Sequence, residues 1–201
     1  MARAIALRKF DLSTRFVAGG MRTALLLLLC MLATPALSAN AELSAMAAQD
    51  QAVRRGEPDP SSDQARRHRV LALLAAGEVA TPRDKFNAAL VLQHTELEFR
   101  DGRLASTNPE NYLLAHHLFL AAMEGGIEEA RPLVAASIDR YLGFTVGVQR
   151  YGTNRVIDQD TGEERLLPID RSVSDEERAT YGVPPLAELL AKWREQPRDG
   201  K

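Results

Sequence analysis

His94 is the side chain of this sequence best suited to move a proton near neutral pH, because imidazole ordinarily changes charge in that range. Gln93 precedes it, so an amide able to orient a substrate stands beside a group able to act as general base. Farther on, Asp139-Arg140 sets a carboxylate next to a guanidinium, and Gln149, Tyr151 and Thr153 alternate along the string Gly147-Val148-Gln149-Arg150-Tyr151-Gly152-Thr153. At strand spacing these three point to one face and line a polar pocket, with Gly152 letting a ligand or another backbone come close. The plainer alternative packs Tyr151 on helices, makes Gly152 a bulge, and spends Gln149 and Thr153 on helix ends or loop backbone. His94 equally admits a satisfied structural role. Arg140 suits the negative end of its own helix, or else it or Asp139 reaches the Gln149 row and fixes its orientation.

Metal chemistry is poorly signalled. His94 and Glu98 are four apart and share a face if helical, but no third or fourth ligand is marked, so neither a metal nor another cofactor is expected. His116 and His117 are adjacent and diverge by roughly 100 degrees on a helix, so at most one faces Gln93-His94. Gly-x-Ser-x-Gly, His-Glu-x-x-His and phosphate-loop strings do not occur, which sets aside familiar serine hydrolases and zinc proteases.

The elements that position these groups begin after a leader. Residues Met21 to Ala41 carry a basic start at Arg22, an apolar run from Ala24 to Ala33, Pro35 and a cluster of small residues. That pattern is a secretory signal peptide, with cleavage expected between Ser38 and Glu42 and Met21 as an alternative start. The apolar run is about ten residues against the roughly twenty that span a bilayer, so no stable membrane span is expected after cleavage. Cys30 follows a row of leucines where a lipid-carrying cysteine has a small residue before it, so a lipoprotein is not favoured. The whole chain has 201 residues and a formal charge of -2; residues 40–201 carry 20 basic and 26 acidic side chains, a charge of -6. They contain no cysteine, which excludes disulfides, thiol catalysis and cysteine-bound zinc. An acidic chain without a Lys/Arg cluster is not a nucleic-acid binder, since that binding rests on neutralising phosphates.

The expected architecture is mainly α: five to seven helices in a repeat-like bundle with a small C-terminal β-hairpin. Residues 40–80 read as N-terminal helices and a linker, 81–193 as the helical core with its hairpin, and 194–201 as a polar tail. Glu42 to Arg55 is a helix broken by the Gly56, Pro58, Pro60 stretch; Ser62 or Asp63 caps a second, with Arg66, Arg67 and Arg69 on its exposed face. Thr81-Pro82 opens a third running to about Phe99, and Asn108-Pro109 opens a fourth ending at Gly125-Gly126. A fifth runs from Glu128 to about Leu142, leaving Asp139-Arg140 in its last turn. Phe144 to Ile157 and Arg165 to Ile169, around Asp160-Thr161-Gly162, read as a hairpin. Ser174 with Glu177 forms a capping box for a short helix ending at Gly182, and Leu186 to Trp193 is the last helix.

The helix pair around Gly125-Gly126, with small residues where two helices touch, resembles one unit of the Sel1-like or tetratricopeptide type, with a poorer unit at 83–103. More specifically, Gln93-His94, Asp139-Arg140 and Gln149, Tyr151, Gly152, Thr153 resemble an uncharacterised bacterial family, one of the domains of unknown function. In it a Gln-His pair precedes an Asp-Arg pair, a Gln-x-Tyr-Gly-Thr-Gln string and a helix ending at Gly. The likeness spans roughly 82–193. Asn154 stands where the string ends in Gln, and an upstream Gly-Trp-Pro is absent, with only Gly77 and Pro82 nearby. The resemblance implies no activity, only that these polar residues belong together.

The functional expectation is a periplasmic or secreted module that binds a protein or a small ligand in the cell envelope. Its ligand residues are expected to be Gln93, Asp139, Arg140, Gln149, Tyr151 and Thr153. The first alternative is an envelope hydrolase or lyase with His94 as general base and Gln149 and Tyr151 orienting substrate, which requires the three to converge on one pocket. The second is a periplasmic immunity protein, which requires a large exposed acidic or apolar patch.

Overall fold

The computed structural model describes residues 38–100, 103–157 and 162–195; the leader, the Asp160-Thr161 part of the hairpin turn and most of the polar tail lie outside them. The described chain is mainly helical. Its helices are α1 (Ala41–Arg54), α2 (Asp63–Ala75), α3 (Pro82–Leu92), α4 (Glu110–Glu124), α5 (Arg131–Thr145), α6 (Asp175–Thr180) and α7 (Leu186–Lys192). Two small antiparallel sheets accompany them. Strands β1 (Leu97–Arg100) and β2 (Arg103–Ser106) pair after α3, and β3 (Arg155–Ile157) pairs with β4 (Glu164–Leu166) near the C-terminus.

Caps legible in the residue types set the helix starts. The Ser62 hydroxyl accepts the Ala65 N–H at 3.1 Å, and Ser174 does the same for Glu177 at 3.2 Å. At α3 the Thr81 hydroxyl accepts the Asp84 N–H at 3.1 Å while Asp84 Oδ2 accepts the Thr81 N–H at 2.9 Å, a full capping box. Asp84 Oδ1 also accepts the Asn40 N–H at 2.6 Å, so one buried carboxylate ties the start of α1 to the start of α3. At α4 the expected Asn108 cap does not form, and no side chain caps that helix.

The main core lies among α1 to α5. Leu43, Met46, Val70, Leu73, Phe86, Leu92, Phe119 and Val134 are buried there, with alanines 47, 88, 89, 115 and 122 allowing close helix approach. Phe86 and Phe119 meet edge to face, ring centres 5.7 Å apart. Gly125 ends α4 under Pro82: a Cβ there falls 2.4 Å from Pro82 Cγ, so the glycine is required by contact with the start of α3. A second apolar cluster gathers Ala135, Tyr151, Val173 and Val183 with Ile138, Tyr181 and Leu189.

Several expectations are corrected. α3 stops at Leu92 instead of reaching Phe99, because residues 97–100 pair with 103–106 as a hairpin. Gln93 is thus the C-cap of α3, and His94 and Glu98 do not share a helix face. Arg66 and Arg67 are buried rather than exposed: Arg66 is held by Asp59 and Asp63, and Arg67 donates to the His94 carbonyl at 2.5 Å. Only Arg69 of that trio is exposed, paired with Glu42. α5 extends to Thr145, which removes Arg140 from its last turn. The C-terminal hairpin is confined to three residues on each strand, so residues 149–153 form a loop, of which Gln149 makes a single backbone bridge to Ile169 after β4.

Candidate functional site

The structure divides the motif residues into two groups. In the first, Asp139 of α5 is fully buried and the loop that follows the helix wraps its carboxylate. Oδ1 accepts the N–H groups of Arg150 at 2.7 Å and Tyr151 at 2.8 Å; Oδ2 accepts the Thr153 N–H at 2.9 Å and hydroxyl at 2.8 Å. Burial pushes the Asp139 carboxyl above its ordinary range, and these four donors pull in the opposite direction. Gln149, also fully buried, satisfies the next stretch: its amide donates to the Asn154 carbonyl at 3.0 Å and the Leu167 carbonyl at 2.8 Å, and its Oε1 accepts the Asn154 N–H at 2.8 Å. Asn154 takes part through its main chain alone, so the arrangement does not depend on its side chain.

Tyr151 completes this cage. Its hydroxyl donates to Glu177 Oε1 at 2.8 Å, the oxygen that Arg150 also holds at 2.8 Å from Nη2. Burial, reinforced by the neighbouring Glu177 carboxylate, raises the phenol to about 12, so it stays protonated as a donor. Arg178, fully buried, donates to the Tyr151 carbonyl at 2.5 Å, while its Nε and Nη2 meet no hydrogen-bond partner. Gly152 has φ +86°, and a Cβ there falls 2.9 Å from Ile169 Cδ1 and 3.1 Å from Leu189 Cδ1. The direction a side chain would take from Gly152 is thus occupied by Ile169 and Leu189, and with its positive φ the position requires glycine. The expected polar row of Gln149, Tyr151 and Thr153 is a loop clasped around Asp139. Beside Gly152 and Thr153 lies a mostly apolar cleft of about 290 Å³ lined by Val183, Leu189 and Trp193, with the Arg155 guanidinium 4.5 Å from the centre of the Trp193 ring.

The second group sits in the turn after α3. His94 Nδ1 lies 2.7 Å from Oδ2 of Asp50, a fully buried carboxylate on α1. Despite that distance, Nδ1 makes no hydrogen bond. Asp50 also accepts from Gln51 Nε2 at 3.0 Å and stands 3.7 Å from Arg54. The two carbonyls of this turn, at the negative end of α3, each meet a guanidinium: Arg67 donates to His94 O, and Arg140 donates to Gln93 O at 3.4 Å. Arg140 therefore serves the end of a neighbouring helix, not of its own. Arg67 has Glu96 at 3.4 Å. The Tyr112 ring lies 6.0 Å from the Arg140 guanidinium carbon and stacks on Phe144 at 5.7 Å.

His94 thus shares no hydrogen-bond partner with Gln149 or Tyr151, and the three do not form one constellation. Asp139 and Arg140, adjacent in sequence, look in two directions: the first into the cage, the second toward Gln93. His116 does not face Gln93-His94 either; its Nδ1 donates to the Val134 carbonyl at 2.9 Å, while His117 is exposed. Asp50 and Arg67 were not anticipated. The signal for Asp50 was present, since Leu43, Met46, Ala47 and Asp50 follow helical spacing and place a carboxylate on the apolar face of α1. Among the described residues, no three His, Cys, Asp or Glu side chains group to hold a metal ion, and no helix is long and apolar enough to cross a membrane. The exposed large apolar side chains Leu71, Leu97, Val146 and Ile157 belong to four separate segments.

Comparison with family models, curated proteins and solved structures finds no match.

Proposed function

We propose that the protein is a periplasmic or secreted module that binds a small ligand or a partner in the cell envelope through the turn after α3, with Gln93, His94 and Arg140 as its contact residues. The observation that carries this reading is the division of hydrogen-bonding capacity. Asp139, Gln149 and Thr153 spend their polar groups on the 149–154 loop and the segment after β4. At the turn after α3, Arg140 makes one long contact to a carbonyl and the Gln93 side chain makes none among the described residues. The likeness to an uncharacterised bacterial family fits a scaffold held together by its Asp139 loop. The reading is tested by thermal-shift screening of envelope-derived small molecules: a ligand that stabilises the wild type and loses its effect in His94→Ala and Arg140→Met supports it. A ligand whose effect survives both substitutions contradicts it.

A second reading, an envelope hydrolase or lyase, draws on one contact. Asp50 Oδ2 stands 2.7 Å from His94 Nδ1, a carboxylate beside an imidazole, the arrangement that orients a general base. Gln149 and Tyr151 have no part in it, being committed to the cage. Turnover of a bound ligand that disappears in both His94→Ala and Asp50→Asn, with binding retained, would replace the first reading by this one.

A further inference from the structure

We propose that Arg140 anchors the carboxylate group of a small monoanionic ligand, with the Gln93 amide as a second donor; this rests on the ligand-binding reading above. Of the arginines whose side chains are described, all but Arg131 and Arg140 have a carboxylate within 4.0 Å. Arg131 is exposed and donates to the Thr180 carbonyl at 2.7 Å, whereas Arg140 is half-buried against Tyr112. In a chain whose residues 40–201 carry a charge of -6, acidic partners are abundant, so a half-buried arginine left without one stands out. Its guanidinium has five N–H donors, and the structure engages one of them, at 3.4 Å.

The neighbouring charges are already matched. Arg67 faces Glu96, and Asp50 faces His94 and Arg54. What remains is one positive charge beside an aromatic wall of Tyr112 and Phe144, where a charge is screened less than in open water. Gln93 is 7% exposed and its side chain finds no hydrogen-bond partner among the described residues, although its amide is not sealed from solvent. That amide has hydrogen-bonding capacity the protein does not use, and a ligand oxygen would take it up in place of water. The planar fork of Arg140 matches the two oxygens of a carboxylate, and a single positive charge matches a single negative one. A phosphate dianion would bring a second charge for which this turn of an acidic protein has no counterpart.

The test is a titration of full-length mature protein followed by NMR at the Arg140 Nε–H and the Gln93 side-chain amide, with sodium acetate, inorganic phosphate and sodium chloride as probes. Acetate should move both signals to saturation and chloride should not. Arg140→Met should weaken acetate about tenfold or more, the range expected for losing a charged hydrogen-bonding partner, and Arg140→Lys should recover part of it. Retained helical circular dichroism and an unchanged urea midpoint in Arg140→Met would assign the loss to the site and not to unfolding. Acetate that shifts neither signal, or phosphate that binds tighter than acetate at Arg140, overturns the inference. If a neutral ligand from the thermal-shift screen moves these same signals while acetate does not, the carboxylate inference fails and the binding reading stands. If no compound of either kind moves them, both fail.

Discussion

Asp139 is the residue on which the local structure depends most heavily, because its two oxygens replace the partners that three backbone N–H groups and one hydroxyl would find in water. Asparagine offers one oxygen in place of two and sets an amide donor against donors. Asp139→Asn is therefore expected to destabilise the protein by about 3 kcal/mol, measured by urea unfolding, the scale of breaking a buried charged network. Gln149→Ala leaves the Asn154 N–H and the Asn154 and Leu167 carbonyls without that partner, and about 2 kcal/mol should be lost in the same assay. The types and spacing of these residues announced that they belong together. Their role was not legible, because a Gln, a Tyr and a Thr at alternate positions read identically whether the backbone is a strand facing a ligand or a loop folded around a carboxylate. Only Asp139 separates the two. Its position on the helix face that meets the loop follows from where α5 packs, which single-residue spacing does not reveal.

At the scale of elements, helix beginnings were written in the sequence and one helix end was not. Ser62, Thr81 and Ser174 cap as their types and positions require, and each precedes a run at helical spacing. Thr81→Ala removes the hydroxyl half of the capping box and should cost about 1 kcal/mol by thermal or urea unfolding. Gly125→Ala should cost more, about 2 kcal/mol, because its Cβ meets the rigid Pro82 ring and the start of α3 has to move. The end of α3 was misread because apolar residues continue at near-helical spacing from Phe86 through Leu97. The same stretch, Leu97-Glu98-Phe99-Arg100, also alternates, and with the Asp101-Gly102 turn signal the strand period prevails. That single difference moves Gln93 and His94 from the middle of a helix to its C-terminal turn, where Arg67 and Arg140 converge on the two carbonyls. α5 errs the other way, running past Leu142 to Thr145 and leaving Arg140 free to reach across to α3.

For the whole molecule, the described residues form a mainly helical body whose stability should depend on pH through a histidine outside the proposed site. Burial holds His116 below its ordinary value of 6.5, since the charged ring loses water; the bond from Nδ1 to the Val134 carbonyl pulls the other way, and the neighbouring His117 adds to the lowering. A depressed folded-state value means the unfolded chain takes up the proton first. The stabilisation is thus fully present above about 6.5 and is lost as pH falls through that value toward the folded-state one, with a slope of at most about 1.4 kcal/mol per pH unit. His116→Gln, which keeps an amide donor for Val134, should flatten the unfolding free energy between pH 7 and pH 5 (roughly the histidine range). Equal slopes in the two proteins would contradict the assignment. Asp84 and Glu177, held below the carboxylate range, act in the same direction at lower pH: their stabilisation is present above the ordinary carboxylate value and is lost as acid protonates them. Asp139 holds the fold and Arg140 is held in reserve, although the two are neighbours in sequence. Parallel urea unfolding of Asp139→Asn and Arg140→Met tests that separation most directly. The expected result is a loss of about 3 kcal/mol in the first and less than about 1 kcal/mol in the second, whose one 3.4 Å contact carries little. Near-wild-type stability in Asp139→Asn, or an equal loss in Arg140→Met, would contradict it.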